Sequence, residues 1–353
     1  MSVKTRFRAE EDGTADGPLI DVHTHIEVAE VKRLASRIKL RGDGPGKRHW
    51  VPVQSRAAHA TASDSISSEL TDPKSRLAAM DQQGVDIQIV SQNLPTPAYW
   101  AKKKTGLEIA RACNEGIADF VVRGGPRFVG LGAVPLQAPK LAAKEAEVAK
   151  GLGLRGLQIP SNVRNRDLGD PFFEPFWEAV EALDLPIVIH PRGFTHDDRL
   201  HDFFLWNTIG QPLEEALAMA SLIHNGIMDK YPRLKVVISH GGGYLPYYSG
   251  RGDRAFASRP EPREHIDHKP SEYFSRFYYD SVVFDQDMLA RLIRVAGEDR
   301  VMAGSDWPRG EVEDDPVGFV STTPGLTKTA IQKIISGNAA KLFSVDCPVS
   351  VRP

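Results

Sequence analysis

Eight short apolar runs, separated by longer amphipathic or polar stretches, limit what this 353-residue chain can fold into more than any other feature. The runs are LIDVH (19–23), DIQIV (86–90), RFVGLGAV (127–134), GLQI (156–159), PIVIH (186–190), KVVISH (235–240), FYYDS (277–281) and VMAGSD (301–306). Runs this short read as buried parallel strands. Helical patterns lie between them, over 73–83, 106–123, 139–150, 171–183, 212–229, 286–296 and 327–343. Asp72 precedes Pro73 as an N-cap would, and Gly84, Gly151, Gly226 and Gly297 stand where helices end. Eight strand–helix alternations predict an α/β chain closed into a (β/α)₈ TIM barrel. An open doubly wound sheet would want a Gly-rich phosphate loop after the first strand, and DVHTHIE is not one.

A barrel of this kind runs as one unit, so residues 18–353 are expected to form a single domain behind a loose polar leader, 1–17. Two segments break the rhythm. Residues 26–72 form a long insertion after strand one, and 249–276 separate strands six and seven with three Pro and several Arg. Segments that follow strands are expected over the C-terminal mouth, as lid or subunit contact.

In a strand, residues two apart point to the same side, so His23 and His25 make a pincer. Alone, an HxH pair is weak. But His190, His240 and Asp306 also close apolar runs, and a parallel barrel gathers all strand C-termini on one face. The five side chains are therefore expected to converge. Imidazoles with a carboxylate suit Zn²⁺, with Mn²⁺ or Fe²⁺ as alternatives.

Composition narrows the rest. Lys and Arg number 44 against 46 Asp and Glu, a net charge of −2, which gives no basic surface for nucleic acid. No apolar run approaches a membrane span, and the N-terminus has no apolar signal core. Cys113 and Cys347 are too few and too far apart for a disulfide framework. A cytoplasmic protein is expected, with no nucleic-acid or membrane partner.

The pattern resembles the amidohydrolase superfamily, and more closely its amidohydrolase-2 branch, typified by 2-amino-3-carboxymuconate-6-semialdehyde decarboxylase. DVHTH, RFVGLGAVPLQAP, FWEAVEALDLPIVIHP, YPRLKVVISHGGGYLPYYSGR, AGSDWP and ISGNAAKLF carry the resemblance over most of 19–343. HGGGxxPxxxGR and SDWP are far more specific than HxH. The resemblance implies one divalent metal ion on His23, His25, His190 and Asp306, with His240 as general acid/base and Asp306 catalytic as well as ligating. It implies no bridging Lys on strand four, where GLQI indeed has none. It also implies that Arg251 reaches a neighbouring subunit's site and grips a substrate carboxylate, so a homodimer or larger assembly is expected. An Arg after strand one is a further substrate contact in the branch, with Arg41, Arg48 and Arg56 as candidates here.

Trp206, Asn207, Phe284 and Trp307 follow strand ends and are candidate pocket walls, in company with Phe203 and Phe204. Arg192 stands where the decarboxylase that typifies the branch carries Trp, a departure that implies an altered substrate with another anionic group. The activity implied is nonoxidative decarboxylation of a carboxylated aromatic or muconate-like acid. The alternatives on the same scaffold are a metal-dependent hydrolase of a lactone, amide or ring C–N bond, and a hydratase of an unsaturated acid.

Overall fold

The computed structural model describes residues 17–38, 66–92, 96–191, 199–200, 202–308 and 311–345. The leader up to residue 16, Arg41, Arg48, Arg56, Arg192 and Cys347 lie outside the described residues.

All eight expected strands form, and they pair in chain order as one eight-stranded sheet. They are β1 (Ile20–His25), β2 (Ile87–Ser91), β3 (Phe128–Gly132), β4 (Gly156–Pro160), β5 (Ile187–His190), β6 (Val236–Ile238), β7 (Tyr278–Asp280) and β8 (Val301–Met302). Every ladder between neighbours is parallel. The last strand returns to the first. Val22 N–H donates to Ala303 O at 2.9 Å, His25 N–H donates to Trp307 O at 2.8 Å, and Thr24 bridges Trp307. The sheet therefore closes into the (β/α)₈ barrel.

Helices cover its outside, and their ends follow the expected chemistry. Asp72 caps Pro73–Gln83 by accepting from Ser75 N–H at 2.9 Å, and Gly84 ends that helix in the left-handed region. The 212–229 pattern splits into Gly210–His224 and Ile227–Lys230 at Gly226, φ +67°. The last pattern, 327–343, holds a π-turn at Lys333–Gly337 between Lys328–Gln332 and Asn338–Phe343. No helix among the described residues is long and apolar enough to cross a membrane.

The core is in two layers. Ile20, Val22, Ile87, Ile89, Leu131, Val188, Val237 and Met302 form one cluster inside the barrel, joined by Leu342 and Phe343 of the final helix. A larger cluster lies between strands and helices, with Trp177, Phe176 and Phe173 fully buried in it.

Two expectations are corrected. β6 stops at Ile238 and β8 at Met302, so His240 and Asp306 lie past their strands, not on them. Both residues have positive φ, +48° and +61°. The backbone leaves the ladder there, which turns each side chain across the barrel axis. The turn after His240 needs glycine. A Cβ on Gly243 (φ +60°) would stand 2.0 Å from Pro212 O. Second, 249–276 does not lie wholly over the mouth. It forms the helix Gly250–Ser258 and two 3₁₀ turns, and buries Ile266, Tyr273 and Phe274. Tyr273 OH and Arg276 both donate to Asp229, at 2.5 and 2.7 Å, beyond the C-terminal end of Gly210–His224. A parallel crossover must carry the chain back to the strand-starting end, and this segment does so along the barrel wall.

Candidate metal centre

Three imidazoles and a carboxylate meet at the C-terminal end of the barrel. β1 supplies His23 and His25, β5 supplies His190, and the turn after β8 supplies Asp306. One ligand atom from each lies within 4.8 Å of the other three. Asp306 Oδ1 is 2.8 Å from His25 Nε2, 3.2 Å from His23 Nε2 and 4.0 Å from His190 Nε2. The histidines are 4–7 % exposed. His23 Nε2 is buried with no partner in hydrogen-bond geometry, although it faces Asp306.

Each imidazole turns its other nitrogen to a fixed partner. His190 Nδ1–H donates to Pro191 O at 2.8 Å, and because a carbonyl only accepts, the Nε2 lone pair faces the centre. His23 Nδ1–H donates to Asp280 Oδ2 at 2.7 Å. Asp280 is itself held by the N–H groups of Gly241 and Val282, both at 3.1 Å. His25 Nδ1 lies 3.3 Å from Ser91 Oγ, whose hydroxyl donates to Gln158 Oε1 at 2.7 Å. Such outer partners set tautomer and ring angle at metal sites.

Electrostatics agree. Burial pulls His25 down to about 4, against the pull of Asp306. Burial and the neighbouring imidazoles hold His190 well below its ordinary value. Burial also opposes charge on His23, but Asp306 and Asp280 outweigh it and raise it to about 9. Burial opposes ionisation of Asp306 too, yet the histidines hold it well below the carboxylate range. His25, His190 and Asp306 are thus already in their ligand forms, neutral imidazole and ionised carboxylate, whereas His23 must give up a proton to ligate. A buried donor set of this kind, with Nε2 atoms aimed at one point, fits a divalent cation, and a divalent-metal site is present. β4, Gly156–Pro160, carries no Lys that could bridge to a second ion.

His240 joins the group from the turn after β6. Its Nε2 is 3.4 Å from Asp306 Oδ2, and its Nδ1–H donates to Glu215 Oε1 at 2.5 Å. Glu215 is fully buried, and its Oε2 has no hydrogen-bond partner among the described residues. Burial pushes this carboxyl up to about 7, against the pull of His240. Burial would pull His240 down, but Glu215 and Asp306 overcome it and hold the imidazole well above its ordinary value.

The remaining candidates are less closely joined. Trp206 is buried in the short helix Leu205–Thr208, edge-on to Phe204 with ring centroids 5.0 Å apart, and Asn207 beside it is half-buried. Phe284 is half-exposed. Trp307 stacks on the guanidinium of Arg76, 4.2 Å from the ring centroid. Arg251 is exposed in the first turn of Gly250–Ser258, with no hydrogen bond or ion pair among the described residues.

Sequence reading missed Glu215, Asp280 and Arg76. Asp280 had a signal, since it stands next to last in FYYDS and so near a strand end, as His190 does in PIVIH. Glu215 had a fainter one, an acidic pair at the head of the apolar stretch LEEALAMASL. Arg76 had none, because an Arg within a helical pattern reads as surface.

The amidohydrolase family model matches residues 20–345. A 2-amino-3-carboxymuconate-6-semialdehyde decarboxylase from Dictyostelium discoideum is 32% identical over 329 residues, covering 93% of this chain and 92% of that protein. Among solved structures, 5-carboxyvanillate decarboxylase from Sphingomonas paucimobilis has a TM-score of 0.81 at 29% identity, covering 93% of this chain and 99% of the other. A dihydroxybenzoic acid decarboxylase from Polaromonas sp. JS666, solved with manganese and the inhibitor 2-nitroresorcinol, has a TM-score of 0.76 at 29% identity, covering 93% and 97%. Barrel, donor set and sequence agree: the chain belongs to the amidohydrolase family.

Proposed function

We propose that this chain is a metal-dependent carboxy-lyase that removes CO₂ nonoxidatively from a carboxylated aromatic acid. The observation that carries the reading is the His240–Glu215 pair set against the His23/His25/His190/Asp306 donors, with His240 Nε2 turned toward Asp306. A proton donor beside a cation site is what such a reaction needs. The decarboxylases similar to this chain support the substrate class.

A divalent ion on the four donors would supply Lewis acidity toward substrate oxygens. His240 gives its Nε2 proton to the ring carbon that bears the carboxylate. The C–C bond then breaks, its electron pair returns to the ring π system and restores aromaticity, and CO₂ leaves. Glu215 holds Nδ1–H and stabilises the imidazolium before transfer. Asp306 keeps its second oxygen beside His240 and orients it. Trp206, Asn207, Phe284 and Trp307 are proposed as walls for a planar ring, and Arg192 as a further anion contact. Arg251, exposed and without an ion-pair partner among the described residues, is proposed to grip the substrate carboxylate of a second copy. A dimer or larger assembly follows from that role.

For the ion, the donors suit Zn²⁺ and Mn²⁺ alike. The manganese in the similar dihydroxybenzoic acid decarboxylase favours Mn²⁺, with Zn²⁺ second. Elemental analysis followed by reconstitution with each ion decides between them.

The test of function is CO₂ release by metal-loaded protein from a dihydroxybenzoate, 5-carboxyvanillate and 2-amino-3-carboxymuconate-6-semialdehyde. Turnover without CO₂, with solvent oxygen entering the product, would overturn the reading in favour of hydrolysis or hydration.

A further inference from the structure

Away from the metal centre, the segments after β2, β3 and β4 line two open grooves of about 680 and 410 Å³. Lys103, Gln137 and Arg164 line both, so the two adjoin. No metal-centre residue lines either one. The larger volume is in the range of small-molecule sites.

The walls are cationic. They carry Lys102, Lys103, Lys140, Arg164 and Arg166, and no carboxylate. Arg166 is paired with Asp170 at 2.7 Å. Arg164 is anchored on Tyr99 O and Ala101 O at 2.7 and 2.8 Å, neutral acceptors that leave its charge uncompensated. Lys102, Lys103 and Lys140 have no acidic partner among the described residues. The first turns of two long helices, Lys103–Gly124 and Pro139–Gly151, open on the same space and add their positive ends.

Two observations beyond charge describe the occupant. Gln137 is 6 % exposed and donates Nε2 to Ala98 O at 2.8 Å, while its Oε1 has no hydrogen-bond partner among the described residues. That acceptor, on the wall common to both grooves, wants an O–H or N–H donor. The Phe172 ring, 4.8 Å from the Arg166 guanidinium carbon, and the Trp100 indole offer flat apolar faces.

We propose that this rim groove is a second binding site, separate from the metal centre, for a hydroxylated aromatic acid bearing at least two carboxylates. The lysines and Arg164 hold the carboxylates, Gln137 accepts from the hydroxyl, and the ring lies against Phe172 or Trp100. The site does not depend on which reaction the metal centre performs.

Calorimetric titration of the metal-loaded protein with 5-hydroxyisophthalate tests it, with isophthalate and inorganic phosphate as comparators. The expected result is a binding event that persists in His190→Ala, weakens about tenfold in K103E/K140E, and strengthens at low salt. Gln137→Leu should weaken the hydroxylated diacid to the level of isophthalate. Both lysines are exposed, so the charge-reversed variant should keep its fold and its metal, checked by circular dichroism and elemental analysis. Three results would overturn the proposal: loss of all binding in His190→Ala, unchanged affinity in K103E/K140E, or phosphate binding as tightly as the hydroxylated diacid. The lysine variant leaves the metal donors untouched, so failure here and failure of the decarboxylase reading are separate outcomes.

Discussion

Glu215→Gln isolates the charge behind His240 with little change of shape. The carboxylate is fully buried and lies 2.5 Å from Nδ1, so the bond is short and charge-assisted. Gln keeps an oxygen acceptor for Nδ1–H but cannot stabilise an imidazolium as a carboxylate does. A hydrogen bond to a charged partner is worth roughly 1.5–3 kcal/mol, and each ~1.4 kcal/mol is a factor of ten, so kcat should fall about 10- to 150-fold. KM should hold, because Glu215 sits behind His240, on its Nδ1 side. The pH dependence gives the sign. Glu215 is the leading influence that raises His240 against burial. Without its charge the imidazole loses its proton at lower pH, so the basic limb of the kcat profile moves to lower pH. The assay is CO₂ release across pH, with metal content measured on the same samples. Wild-type kcat with an unmoved profile would refute the reasoning, and so would loss of metal, which would make Glu215 part of the site's scaffold.

His190→Ala should lose metal and turnover together, whereas His240→Ala should keep metal and lose turnover; elemental analysis beside CO₂ release checks both, and an empty site in His240→Ala would contradict the division of roles. His23 stands at about 9 without metal, so at pH 7.5 uptake of a divalent ion should release about one proton, and the release should vanish above pH 9. Calorimetry in buffers of different ionisation enthalpy measures it, and Asp280→Asn, which removes a charge that raises His23 without removing a metal donor, should diminish it. Mixing Arg251→Ala with His240→Ala should restore activity if the arginine serves a neighbour, and an active, strictly monomeric species would exclude that role. Phe343→Ala should cost about 3–5 kcal/mol in denaturant unfolding, because its ring is 1 % exposed inside the barrel cluster.

The eight strands were legible because each is a short apolar run and a strand buried on both faces must be one. Helix ends were legible for a similar reason: Asp72, Pro73 and Gly84 act through backbone chemistry local to them. The metal donors were legible because a closed parallel barrel puts all its strand C-termini on one face, so a polar residue ending an apolar run is already placed. Two of those endings were only half read. His240 and Asp306 leave the ladder before they turn inward, with a positive φ that nothing in the apolar run marks. The segment 249–276 read as lid or subunit contact over the mouth because Pro and Arg mark a loop, but the packing of its end against Asp229 depends on a helix some forty residues earlier.

Residue type and strand order by themselves determined a barrel, its eight-strand count and the convergence of His23, His25, His190, His240 and Asp306 at one end, while the choice of four of them as metal donors came from the resemblance to the amidohydrolases. Tertiary structure decided what stands behind those donors: Asp280 on His23, Ser91 on His25, Glu215 on His240 and Arg76 under Trp307. These partners come from other strands and helices, 25 to 257 residues from the side chains they hold, so no local pattern marks them. The physical reason is that a buried polar group is tolerated only where a distant element brings its partner, and that meeting exists only once the chain has closed.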